Sequence, residues 1–167
     1  MDETLIGVRS IQAMSAPTQI KKNAQWVIDN FGPESGVPQF GYNAQSVAYL
    51  DTFLDRQGES LRASDQSTDR IVSLLGSFLG EAIIASYGGN WQQSEAGIAI
   101  VLESGAQVHF VNPFHKILKR LTNGQEENLH AYFARFLPQV LSQPEAGDPP
   151  PNSPPGGGPK KPWWKIF

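Results

Sequence analysis

Gly97-Ile98-Ala99-Ile100-Val101-Leu102-Glu103-Ser104-Gly105-Ala106-Gln107-Val108-His109-Phe110-Val111 is where the chain changes its hydrophobic period. Upstream, apolar residues recur every three or four positions. Here they alternate, as side chains on a β-strand must. The stretch Gly97 to Glu103 places Ile98, Ile100 and Leu102 on one strand face, and Ala106 to Val111 places Val108 and Phe110 likewise. Between them Ser104-Gly105 reads as a two-residue turn, because glycine readily takes the positive φ that tight hairpins require. On this alternation His109 falls on the opposite face, toward a partner or solvent. Trp91-Gln92-Gln93 supplies a short third strand.

Working outward toward the N-terminus, three helical patterns precede the strands. The segment to about Ala16 has no sustained period and reads as irregular. From Pro17, Ile20, Ala24, Val27, Ile28 and Phe31 repeat at helical spacing, with Ser15 or Thr18 as cap and Gly32-Pro33 as stop. Trp26 lies off that stripe, placed to cover a domain edge. After a Gly/Pro-rich loop to Gly41, Asn43 caps a second helix whose buried side is Val47, Leu50, Phe53, Leu54 and Leu61. The third helix starts from the Ser67-Thr68-Asp69 region and ends at Tyr87-Gly88-Gly89-Asn90. Its wide arc of Ile71, Leu74, Leu75, Phe78, Leu79, Ala82 and Ile83 marks it as central.

Two helices follow the strands. Asn112-Pro113 opens the first, since proline at the first helical position loses a donor that has no partner there. Phe114, Ile117, Leu118 and Leu121 face inward, and Asn123-Gly124 ends it. The second starts near Gln125-Glu126-Glu127 and carries Leu129, Tyr132, Phe133, Phe136, Leu137, Val140 and Leu141. Pro138 cannot donate to the carbonyl of Ala134 and should kink or end it. Grouped strands with helices on either side in sequence predict an α+β domain over residues 1–143: three N-terminal helices, a central antiparallel hairpin or three-stranded meander, and two C-terminal helices.

Residues 144–167 are of another kind. Pro149-Pro150-Pro151 and Gly156-Gly157-Gly158 dominate a stretch whose composition cannot offset chain ordering by burial, so it reads as a disordered tether. It ends in Lys160-Lys161-Pro162-Trp163-Trp164-Lys165-Ile166-Phe167. A tether has no structural use for adjacent tryptophans. Trp163, Trp164, Ile166 and Phe167, flanked by Lys160, Lys161 and Lys165, therefore read as a partner-binding motif, with aromatic anchors that fill pockets on a protein. The competing readings are contact with an anionic membrane surface, through interfacial Trp and basic Lys, and folding back onto the chain's own domain.

The totals limit the function classes. The chain has 167 residues, is 40% hydrophobic, and contains no Cys, so disulfides, thiolate metal sites and a Cys nucleophile are excluded. A formal net charge of -3 carries no nucleic-acid signature. An acidic N-terminus without a long apolar run, and no stretch near the ~20 apolar residues of a membrane span, point to a cytoplasmic protein.

Ser73, Gly76, Ser77 and Gly80 give the third helix a small second face, suited to close packing before a ligand groove. Glu81, at the rim of the apolar arc, and His109 are the only candidate catalytic groups, and no second group completes a site for either. Asp51, Asp55 and Glu59, near Arg56 and Arg62, read as a solvated acidic stripe. His115, Lys116, Lys119 and Arg120 form a small basic cluster that the helix dipole favours by itself. His109, His115 and His130 lack metal-ligand spacing, and no nucleophile, phosphate or dinucleotide motif is present. No catalytic residue, metal or cofactor is assigned.

The run Ile71 to Gly124 contains Leu75-Gly76-Ser77-Phe78-Leu79-Gly80-Glu81, Gly89-Asn90-Trp91, Gly97-Ile98-Ala99-Ile100-Val101-Leu102, Asn112-Pro113-Phe114-His115-Lys116 and Asn123-Gly124. About a third of the chain thus resembles small uncharacterised bacterial domains, in which a helix ending in Gly-Glu leads through a Gly-x-Trp turn into a hairpin and a Pro-Phe helix. The resemblance implies a bacterial source and the α+β arrangement, and transfers no catalytic residue. The expected function is a non-enzymatic protein-binding module, of adaptor or toxin-neutralising type. A tail-tethered peripheral membrane protein and an enzyme without a recognisable motif are the alternatives.

Overall fold

A computed structural model describes residues 16–142. The C-terminal motif and the segment before Ala16 lie outside the described residues. The expected order of three helices, strands and two helices is present, with the strands forming a three-stranded antiparallel meander.

Helix α1 (Ala16–Ser35) runs two residues past Pro33. The proline removes only one bond in the last turn, and Ser35 then closes the end, its hydroxyl donating to the Gly32 carbonyl at 2.9 Å. Helix α2 (Ala44–Leu61) is capped as expected, Asn43 Oδ1 accepting from Ser46 N at 2.9 Å. Helix α3 (Asp65–Tyr87) starts earlier than expected, because Ser64 takes the cap and accepts from Ser67 N at 3.1 Å.

Helix α3 is the axis of the domain, with α1 packed on one side and the helix after the strands on another. Leu75, Phe78, Leu79 and Ile83 are fully buried, against Val27 of α1 and Leu50 and Leu54 of α2. Each such side chain contributes about 1.5–3 kcal/mol. By length and composition α3 could cross a membrane; half of its most apolar window is buried inside this domain. The small second face serves packing. A Cβ at Gly80 would lie 2.2 Å from Trp91, and one at Gly76 would lie 2.4 Å from Phe114.

The strands are β1 (Asn90–Ser94), β2 (Gly97–Ser104) and β3 (Gln107–Val111). Their register corrects the expected facing of β3. Ile100 pairs with Val111 and Leu102 with His109, and directly paired residues of antiparallel strands point to the same side. Because Ile100 and Leu102 enter the core, Val111 and His109 must follow them; His109 is 8% exposed. Val108 and Phe110, expected inside, are 53% and 41% exposed. The tight turn is Gly105-Ala106, one residue later than read, with Gly105 at φ 61°.

Helix α4 (Pro113–Asn123) begins at the Asn112 cap. Its buried stripe is Pro113, Ile117, Arg120 and Leu121, which leaves Leu118 off the stripe and exposed rather than inward. A 3₁₀ turn, Gly124–Glu127, replaces the expected helix start. Asn128 then caps α5, its Oδ1 accepting from Ala131 N at 2.8 Å. Helix α5 is wound as Leu129–Ala131, a π turn over Tyr132–Phe136, and Leu137–Leu141.

Pro138 does not end α5, which continues to Leu141. In the π turn Leu137 N–H donates to the Tyr132 carbonyl, five residues back. In that register the next donor, to Phe133, would come from residue 138, which as proline has none. The Tyr87 hydroxyl of α3 supplies the missing bond, donating to the Phe133 carbonyl at 2.6 Å. Burial raises the Tyr87 phenol above its ordinary pKa, so it remains a donor through the neutral range. Tyr87→Phe is expected to cost about 1–2 kcal/mol in urea unfolding. In a Pro138→Ala background, where residue 138 regains its donor, the same change is expected to cost clearly less; additivity in this double-mutant cycle would refute the account.

Candidate functional site

The site is assembled around a buried carboxylate. Asp51 projects from α2 into the space between α4 and the start of α5. Its Oδ1 accepts from Arg120 Nε and from Leu129 N, each at 2.8 Å, and its Oδ2 accepts from Asn128 Nδ2 at 2.8 Å. Arg120 Nη2 also donates to the Asp51 carbonyl at 3.3 Å and to Asp55 Oδ1 at 3.2 Å. Desolvation disfavours the guanidinium charge, but the hydrogen bonds and charges of Asp51 and Asp55 outweigh it and hold the Arg120 pKa above its ordinary value. Asp51 and Arg120 are 5% and 3% exposed, so neither belongs to a solvated stripe or a surface basic cluster as the sequence suggested. Spacing within a helix places them on the acidic and basic faces; the packing of α2 against α4 turns both inward.

By fixing α4 and the first turn of α5 together, this network sets the walls of a half-open groove of about 1220 Å³. Its floor and one end come from the sheet: Gly97, Ile98, Ala99 and Phe110. His115, Lys116 and Lys119 of α4 form one wall, and Tyr132, Arg135 and Phe136 of α5 the other, with Glu126 and Glu127 between. Three of the four residues of the expected basic cluster therefore meet here, and Arg120 does not. Tyr132 and Phe136 stack with ring centroids 5.6 Å apart, and both Phe110 and Phe136 are about 40% exposed.

The polar groups of the groove are graded by their partners. Lys116 pairs with Glu127 and lies 4.8 Å from the Tyr132 ring centroid. The hydrogen bond and charge of Lys116 hold the Glu127 carboxyl below the usual carboxylate range. Burial, with the Glu127 charge, pushes the Tyr132 phenol well above the ordinary tyrosine value. Arg135 makes no ion pair among the described residues, and His115 Nε2 is shielded without a hydrogen-bond partner among them.

The other sequence candidates fall elsewhere. Glu81 accepts from Trp91 Nε1 at 3.0 Å, and neither Glu81 nor His109 lines the groove. Among the described residues no group of three His, Asp or Glu is placed to hold a metal ion. The motif residues Trp163, Trp164, Ile166, Phe167, Lys160, Lys161 and Lys165 lie outside the described residues. Sequence reasoning missed Phe110, Tyr132, Arg135 and Phe136 as groove residues, because each aromatic fitted a core stripe.

Asp51→Asn removes the charge that Arg120 needs in a buried setting and is expected to destabilise the domain by about 3 kcal/mol in urea unfolding. For Glu127 the folded-state pKa is the lower one, so its pair with Lys116 stabilises the fold at neutral pH and is lost as pH falls through that lowered value. Glu127→Gln is therefore expected to unfold at lower urea than the parent near pH 7, with the gap closing as pH falls below the ordinary carboxylate range. A gap that stays constant with pH would exclude the pair as its source. No protein-family profile, curated protein or solved structure matches the chain, so its function must be argued from this groove.

Proposed function

We propose that the chain is a protein-binding module of adaptor type, whose globular domain receives an extended peptide segment in the groove between the sheet and α5. One observation carries the reading: two aromatic side chains, Phe110 and Phe136, stand about 40% exposed at a concave surface that also carries Lys119 and Arg135. Exposed aromatics beside arginine are the usual anchors of protein contacts. The volume of about 1220 Å³ exceeds the ~300–1000 Å³ of typical small-molecule pockets. An enzyme reading gains little support here, since Glu81 and His109 lie off the groove and Glu127, its half-buried carboxylate, is committed to Lys116.

The lining favours a segment with aromatic or aliphatic side chains beside Tyr132 and Ile98, and negative charge for Arg135. The aromatic tail Trp163–Phe167 gives the same protein a second contact element. Panning a random peptide library on the full-length chain is expected to enrich aromatic sequences with an acidic group. Their affinity is expected to fall about tenfold or more for Phe110→Asp and for Arg135→Glu, both substitutions at exposed positions. Enriched peptides that bind both variants as well as the parent would refute the groove as the docking surface.

A further inference from the structure

We infer that a partner's extended segment binds the groove by strand addition, pairing its backbone with Ile98 on a stretch of β2 that β3 leaves uncovered. This deepens the docking-groove reading and rests on it. The register locates the stretch. Strand β1 pairs with residues 97–101 of β2, whereas β3 pairs only with residues 100–104. Among the described residues, Gly97, Ile98 and Ala99 therefore have a strand on one side alone, and all three line the groove.

The two turns fix the direction of the backbone groups. Ser94 pairs with Gly97 across Glu95-Ala96, and Ser104 pairs with Gln107 across Gly105-Ala106. The pair that closes a two-residue turn exchanges hydrogen bonds, and such pairs then recur at every second position. From the first turn, Gly97, Ala99 and Val101 direct their N–H and C=O toward β1. From the second, Ser104, Leu102 and Ile100 direct theirs toward β3. By either turn, the N–H and C=O of Ile98 point to the open side. Among the described residues no hydrogen bond reaches either group.

Strand β3 cannot cover this edge by growing longer. Asn112 leaves the ladder to cap α4, its Oδ1 accepting from His115 N at 3.0 Å, and Pro113 has no N–H to donate. The gap is built into the sequence at the junction of strand and helix. A half-buried backbone donor and acceptor without partners favours a ligand that supplies both, and an extended peptide does so at alternate residues. Natural strand edges are commonly guarded by lysine or proline; Gly97-Ile98-Ala99 carries neither. Charge narrows the partner further. Arg135 lines the same groove and makes no ion pair among the described residues, so the segment carries an acidic side chain. Proline is excluded at the residue that donates to the Ile98 carbonyl, because its nitrogen has no hydrogen to give.

The test uses the peptides selected on the full-length chain, with each backbone amide replaced in turn by an ester. The ester removes one donor and leaves the side chains in place. A single position is expected to lose about tenfold in affinity, and the positions beside it clearly less. Amide hydrogen exchange reads the protein's side of the pair. In the free protein Ile98 is expected to exchange at least about tenfold faster than Ala99, whose N–H is held by β1. Saturation with peptide is expected to slow Ile98 about tenfold or more and to leave Ala99 unchanged. Slow exchange at Ile98 in the free protein would overturn the inference without any peptide, since the edge would already be paired. So would a flat ester scan, or fast exchange at Ile98 in the saturated complex. If the peptides still need Phe110 and Arg135 in that case, the groove reading stands and only strand pairing falls. If they bind Phe110→Asp and Arg135→Glu as they bind the parent, both fall.

Discussion

The arrangement of the C-terminal half depends on one buried ion pair, Asp51 with Arg120. Taking two charges out of water costs several kcal/mol per ion, and only a fully used set of hydrogen bonds offsets that. Here the set is close to complete: the carboxylate accepts from the guanidinium, a backbone amide and an asparagine amide, drawn from α4, the start of α5 and its cap. An apolar pair of similar volume could fill the space equally well. It could not dictate which backbone amide points at α2, and so could not fix where α5 starts. In this domain the pair contributes geometry more than stability.

A second constraint operates at the other side of α3. Gly76 and Gly80 allow Phe114 and Trp91 to approach the helix backbone, which draws α4 and β1 onto the same surface. Trp91 is then held by Glu81 through its indole nitrogen, so the one carboxylate at the rim of a long apolar helix has a structural employment. The groove lies between these two anchored regions. Its walls belong to elements fixed from behind.

Much of this was legible in the sequence. The period change at Gly97 locates the sheet, Asn43 and Asn112 mark true helix starts, and the arc from Ile71 to Ile83 identifies the central helix. What escaped reading depended on contacts between elements far apart in the chain. Alternation along β3 names Val108 and Phe110 as its apolar pair, yet cross-strand register turns His109 and Val111 inward. Asp51 looks like any exposed helical acid until Arg120, 69 residues later, is packed against it. Phe136 fits the stripe of an ideal helix and lies 40% exposed on the real one.

That last difference has its origin in the π turn. An ordinary helix advances about 100° per residue, so winding one extra residue into Tyr132–Phe136 shifts the angular phase of everything after it. Leu137 is buried and Gln139 reaches the groove in this phase. Loss of a single residue within the turn would restore regular winding and, at the same time, rotate the whole C-terminal segment about its own axis. The face shown to a ligand is therefore encoded in the residue count of α5 as well as in its side chains. Among descendants of this sequence, insertions and deletions in that turn would redirect the binding surface more abruptly than substitutions could.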